Sequence, residues 1–306
     1  MRFDRVTLAL ITVQLLFAIH YVAAKHLLAT IPAPAWTVMR VGGAALVLLL
    51  LTARQWKSWP RDVKSWGQLA LLSVFGVILN QILFLEGLSR TVPSHSALIN
   101  TSIPVVTLVV AVLLRHEKFD GRKIAAIALS LAGVLILLRI DDFDPSAGTV
   151  QGDLLTLANA SSFSVFLVLS RPVARRLGAR IVTPITFLLG SLAVGVYGWP
   201  AIQTMNWATV PPSIWAIAVF IVLGPTVGTY GLNVWALRRV ESSAVALFVY
   251  LQFVLAAPLS AWLLEEPLSW RLIPAAILVF SGVALTARRP RRMQAGPPSS
   301  ESGPST

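Results

Sequence analysis

Long apolar runs dominate the chain, broken at intervals by charged clusters or by Pro and Gly. Ten runs stand out, at about residues 7–28, 35–52, 66–88, 94–114, 122–138, 153–170, 184–204, 213–236, 243–263 and 271–287. Crossing the hydrocarbon core of a bilayer takes roughly 20 apolar residues in a helix. A backbone in lipid must also satisfy its own hydrogen bonds, which a helix does. The pattern therefore predicts an all-α membrane protein with ten transmembrane helices. The runs at 35–52 and 122–138 are short and suffice with little tilt. The first run follows MRFDR and has signal-peptide features, with Ala23-Ala24 as a weak cleavage site. Its length exceeds a typical signal core, and the two halves of the chain match only if it stays, so it is read as a retained helix.

Composition agrees. Of 306 residues, 56% are hydrophobic and 12% charged, about half the charge of an ordinary soluble domain. The net charge of +12 invites a nucleic-acid reading, but its placement removes that reading. With the N-terminus inside, the inner segments carry twenty lysines and arginines, and the outer ends carry four, Lys25, Arg90, Arg139 and Arg271. This alternation is the positive-inside pattern. It predicts both termini in the cytoplasm, the lipid bilayer as a partner, and no nucleic acid. There is no cysteine, no HExxH and no phosphate-binding GxxxxGK[ST]. No metal, cofactor or enzymatic chemistry is therefore expected, and any pumping would draw on an ion gradient or the substrate's own.

The chain repeats itself. Shifting residues 90–139 by 149 onto 239–288 gives 14 identities in 50 positions. Among them are Ala97/Ala246, Leu98/Leu247, Val105/Val254, Glu117/Glu266, Gly133/Gly282 and Val134/Val283. Asp120 and Ser269 correspond as well, and both precede a span, where a helix takes an N-cap. Each unit holds five spans. An odd number sends the second unit into the membrane in the opposite sense, so the fold class is two five-helix inverted-topology repeats, an architecture typical of secondary transporters. The expected organisation is a first repeat over 1–140, an acidic outer loop over 141–152, a second repeat over 153–288 and a disordered cytoplasmic tail over 289–306.

The segments 97-ALINTSIPV-105, Glu117 and Gly133-Val134, with their counterparts 246-ALFVYLQFV-254, Glu266 and Gly282-Val283, resemble the EamA-type branch of the drug/metabolite transporter superfamily. The resemblance spans about residues 7–287. It implies ten helices in a bacterial inner (plasma) membrane, cytoplasmic termini and movement of small metabolites, with amino acids a frequent substrate class. This chain departs from the family pattern at Gln252-Phe253, where Glu-Pro is common, and at His20, where many relatives carry Gly or Ser.

Polar residues within spans are costly and face protein or water. At helical spacing they form stripes: Gln14, Tyr21 and Lys25; Gly76, Asn80, Phe84 and Gly87; Asn100, Thr101 and Pro104; Asn159, Ser162 and Phe166; and Thr226, Tyr230 and Asn233. Tyr250 is the repeat mate of Thr101. With His20, Arg40 and Trp235, these are candidates to line a path at the repeat interface, where amides and hydroxyls orient a polar head and aromatic walls cover an apolar body. The alternative is interhelical glue without a ligand. Glu86, within FLEGLSR, and His20 are candidates for coupling or gating. Glu86 has Arg90 at i+4 for an ion pair, with Arg40 as a second candidate partner, so structural pairing at the outer mouth is the competing reading. Glu117 and Glu266 flank loops and read as structural. The expected function is secondary transport of a small organic metabolite, in the export direction, with proton coupling considered. The alternatives are a lipid-linked sugar flippase and a non-transporting scaffold or sensor. These residues leave the substrate and the oligomeric state open.

Overall fold

The computed structural model describes residues 5–114, 121–137, 148–240 and 242–287. Among these every regular element is helical. Ten rods appear in the order the apolar runs predict. The first two are α1 (Arg5–Leu28) and α2 (Ala33–Leu51). The third joins α3 (Val63–Ser73) to α4 (Leu79–Arg90) through a π-helical segment, Val74–Ile78. The fourth is broken into α5 (Pro93–Asn100) and α6 (Ile103–Leu113), and the fifth is α7 (Gly121–Leu137). The second half runs α8 (Gly148–Leu177), α9 (Ala179–Thr204), then α10 (Pro212–Ile221) and α11 (Thr229–Leu237) around a π-helical Val222–Gly228. It ends with α12 (Ser242–Leu247), α13 (Tyr250–Leu263) and α14 (Leu272–Ala287). Seven rods are individually long and apolar enough to cross a membrane among the described residues.

The irregularities repeat with the sequence. The 149-residue shift carries Val74–Ile78 into the second π-segment. It also carries the break at Thr101-Ser102 to within two residues of the break at Phe248-Val249. Helix packing is exchanged in the same way: α2 lies on α9, α7 on α14, α4 on α8 as α1 on α11, and α1 on α13 as α8 on α6. The molecule is two inverted five-helix repeats folded against each other.

Lipid supplies no hydrophobic force between helices, so close packing must hold them together. Glycines make that packing. A Cβ on Gly76 would fall 2.2 Å from the Phe166 ring, one on Gly152 2.7 Å from the Thr91 amide nitrogen, and one on Gly198 2.4 Å from the Pro34 carbonyl. The opposite surfaces are oily: Leu50, Val196, Trp262 and Trp270 are all exposed, as lipid-facing residues should be.

Two boundaries differ from expectation. The sixth span begins at Gly148 rather than 153, inside the segment expected to be loop. The reason is Asp153, which is buried and held by Thr91 and His95, so the turn before it packs as helix. The seventh span begins at Ala179 rather than 184, because the turn from α8 needs only Gly178, at φ 85°. That left-handed conformation is readily adopted by glycine. Ser269 does accept a backbone N–H at the start of the last span, from Arg271 at 3.3 Å. Glu117, Asp120, most of the outer loop and the tail lie outside the described residues.

Candidate functional site: a polar cavity between the repeats

Midway along the bundle, α1, α2, α4, α5, α6, α8, α11 and α13 line a cavity of about 50 Å³. One water needs about 10–15 Å³ in this measure, so the space holds a few waters. Its lining includes Phe17, His20, Tyr21, Arg40, Asn80, Gln81, Phe84, Asn100, Ile103, Asn159, Phe163, Tyr230 and Gln252.

Backbone irregularity creates part of this site. The first π-segment frees carbonyls that side chains then satisfy. Ser162 Oγ donates to Phe75 O at 2.7 Å, and Tyr230 Oη lies 2.7 Å from Gly76 O. Just beyond it, Asn159 Nδ2 donates to Asn80 O at 2.8 Å. In the second π-segment Pro225 has no N–H to give. Thr226 Oγ1 donates to Ile221 O at 2.8 Å, and the same hydroxyl accepts from Arg40 Nε at 2.8 Å. The guanidinium is thus seated by a helix distortion from the other repeat.

Two hydrogen-bond groups line the cavity. In one, Gln81 Nε2 donates to Tyr230 Oη at 2.9 Å and lies 3.2 Å from Asn80 Oδ1, which is itself 2.7 Å from Tyr230 Oη. In the other, Asn100 Nδ2 donates to Tyr21 Oη (2.6 Å), Tyr21 Oη to Gln252 Oε1 (3.1 Å), and Gln252 Nε2 to Gln14 Oε1 (2.5 Å). His20 stacks on Phe84 with ring centroids 5.3 Å apart, and Arg40 Cζ lies 5.9 Å from the same Phe84 ring. Several buried polar atoms have no protein partner: both His20 ring nitrogens, Arg40 Nη1, Gln81 Oε1 and Asn100 Oδ1.

Of the path candidates read from sequence, His20, Tyr21, Arg40, Asn80, Phe84, Asn100, Asn159 and Tyr230 come together here. Gln14 joins at second hand, through Gln252. The others do not line the cavity. Thr101 turns its hydroxyl back to Leu98 O at the helix break. Asn233 is buried one turn past Tyr230. Trp235, near the end of α11, lies under the Arg239 guanidinium at 3.8 Å, where a cation–π contact holds it. Tyr250 packs on Phe280. Phe17, Gln81, Ile103, Phe163 and Gln252 were not in the candidate set. The repeat itself pointed to one of them, since the 149-residue shift pairs Gln81 with the candidate Tyr230; it also pairs Ile103 with Gln252.

Glu86 is away from this cavity. It pairs with Arg90 and accepts a hydrogen bond from Tyr197 Oη at 2.5 Å. Arg40, considered as its partner, bonds Thr226 instead. The end of the bundle that the charge pattern assigns to the outside is tied together by polar contacts. Lys25 Nζ donates to the carbonyls of Leu88 (2.9 Å) and Thr91 (2.6 Å), at the end of α4. Asp153 accepts from Thr91 Oγ1 at 2.5 Å and lies 3.0 Å from His95 Nδ1. Glu266, read as structural from sequence, is buried and accepts hydrogen bonds from the hydroxyls of Ser94 and Ser260. It links the ends of the fourth and ninth spans on that same side of the bundle.

The EamA-like transporter family profile matches the chain twice, over residues 5–139 and 150–288. An uncharacterized transporter of Archaeoglobus fulgidus is 27% identical over 241 residues, covering 76% of this chain and 82% of that protein. The Arabidopsis thaliana Protein WALLS ARE THIN 1 is 26% identical over 251 residues, covering 71% and 64%. A solved crystal structure superposes with a TM-score of 0.63 at 22% identity, over 92% of this chain and 96% of that one, a likeness of fold. With both halves matched, the chain belongs to the EamA-like transporter family of the drug/metabolite transporter superfamily and is a multi-pass membrane transporter.

Proposed function

We propose that this transporter exports a small organic metabolite, an amino acid or a related compound, across a bacterial plasma membrane by alternating access. The observation that carries the reading is the cavity. It is lined by buried polar side chains and by the rings of Phe17, Phe84 and Phe163, and its lining residues lie beside both π-segments and the break in the fourth span. Substrate sites of inverted-repeat transporters lie at discontinuous helices near the bilayer midplane. Buried polar atoms left without partners are expensive in a scaffold; here a ligand would satisfy them. The cavity is too small for an amino acid as it stands, so the repeats must part to load it. The contacts of Lys25, Asp153 and Glu266 close the outer side, and their exchange for inner contacts would reverse access. His20 is the titratable group in the cavity placed to couple a proton.

The test is uptake of a panel of amino acids and organic acids into inverted membrane vesicles, with and without an imposed pH gradient. Accumulation above vesicles lacking the protein supports the reading, and none for any compound opposes it. A second reading, flipping of a lipid-linked sugar, draws support from an apolar groove of about 730 Å³ between α13 and α14, lined by Phe253, Trp270, Ile273 and Phe280. Translocation of a lipid reporter in place of soluble uptake would favour it.

A further inference from the structure

We infer that the group recognised in the cavity is a carboxylate, held by Arg40, and that the ligand is an organic acid in which an amino group is dispensable. The inference rests on the cavity being the substrate site proposed above. Arg40 is 1% exposed, within the membrane-spanning part of the bundle. Its Nε is taken by Thr226, and its Nη1 has no partner. The lining named above holds no Asp or Glu, and among the described residues no carboxylate lies within ion-pair distance of Arg40. A buried guanidinium without a counter-charge is among the more unfavourable things a fold can contain. One neutral hydroxyl and a ring at 5.9 Å do not offset it. The protein keeps the charge and supplies no acid, so the site is complete only with an anion from elsewhere.

The surroundings say which anion. Phe17, Phe84 and Phe163 give the cavity an apolar wall beside the cation, which suits an organic body rather than a hydrated inorganic ion. Gln81 Oε1 and Asn100 Oδ1 are free acceptors, so a donor group on that body can be met. An ammonium would meet only these neutral oxygens, with Arg40 nearby and no acid to balance it. Arginine matches a carboxylate in geometry as well as charge. A carboxylate is therefore required, and a zwitterion gains little over a simple acid.

The experiment uses the full-length protein in lipid nanodiscs at pH 7. Calorimetric binding is measured for benzoate, phenylacetate and 3-phenylpropionate. Their amides, phenylalanine, phenethylamine and sodium chloride are measured alongside. At least one acid is expected to bind about tenfold or more tightly than its amide, the scale of a charge-assisted hydrogen bond. Phenethylamine should be at least as weak as the amides. Arg40→Gln should abolish the preference for acid over amide without lowering the melting temperature of the ligand-free protein, since it removes an uncompensated charge. Arg40→Lys should keep the preference at reduced affinity. Failure of every acid to bind, equal binding of acid and amide, tighter binding of the amine, or chloride occupying the site in place of the acids overturns the inference. The two readings separate cleanly. Vesicle transport of neutral or cationic compounds, unchanged in Arg40→Gln, removes the carboxylate site and leaves the transporter. Arg40-dependent acid binding with no uptake of any acid leaves the site and removes transport of these acids through it.

Discussion

Gln81 and Tyr230 are 149 residues apart in the chain and 2.9 Å apart in the fold. The same shift superposes the two repeats, so each residue is the other's counterpart. Equivalent positions touch only where a two-fold axis passes between them. The Gln81–Tyr230 bond therefore marks the pseudo-two-fold axis, and the cavity lies on it. Movement of one repeat against the other must act at this contact.

Tyr230→Phe keeps the ring and removes the hydroxyl. Gly76 O then has no side-chain donor, and Gln81 Nε2 keeps only the 3.2 Å contact to Asn80. A buried group left unpaired costs about 1–3 kcal/mol. Thermal unfolding in detergent should show a loss of that size, and transport per molecule should fall. Gln81→Leu should couple to it: a double-mutant cycle should give an interaction energy above about 0.5 kcal/mol.

Gly76 and Gly42 both lie in helical rods and differ in surroundings. A methyl at Gly76 would strike the Phe166 ring, while nothing lies within 4 Å of one at Gly42. Gly76→Ala should destabilise by about 1–3 kcal/mol through overpacking. Gly42→Ala should be neutral or stabilising, since alanine is the better helix former. Melting temperatures of the two variants in one detergent check this directly.

Glu86 opens a separate question. Its partners are Arg90, which is 40% exposed at its side chain, and Tyr197. Exposed ion pairs contribute about 1 kcal/mol or less. Glu86→Gln should therefore change melting temperature slightly and leave transport per folded molecule unchanged, with and without a pH gradient. A selective loss of gradient-driven transport would return Glu86 to the coupling machinery.

The charge alternation predicts orientation. A reporter fused after Arg289 should be cytoplasmic, and one inserted at Ser146 should be external. Reporter activity on the opposite side at either site would break the ten-span arrangement.

Much of this was legible in the sequence because a bilayer imposes length, apolarity and charge placement on every span. The ten rods and the inverted repeat follow from those constraints. The helix starts at Gly148 and Ala179 did not, because they depend on tertiary contacts of Asp153 and on one glycine's conformation. Stripes of polar residues found six cavity residues, since a helix face is a local property, and His20 and Arg40 stood out as ionisable groups within spans. The stripes also picked up Asn233, because a stripe does not record where it stops facing the cavity. Gln252 was visible as a departure from the family pattern, yet its link to Tyr21 and Gln14 needed the fold. So did the role of Glu266, whose burial is set by Ser94, 172 residues away.

Alternating access is the central claim, and the absence of cysteine makes it directly measurable. Ile103→Cys places one thiol in the cavity wall. Its labelling by a membrane-impermeant maleimide would be followed in right-side-out and in inverted vesicles. Glu266→Gln would be added to weaken the outer closure. The account predicts labelling from both sides, with Glu266→Gln raising the external rate and lowering the internal one. Labelling from one side only, unchanged by Glu266→Gln, would contradict it.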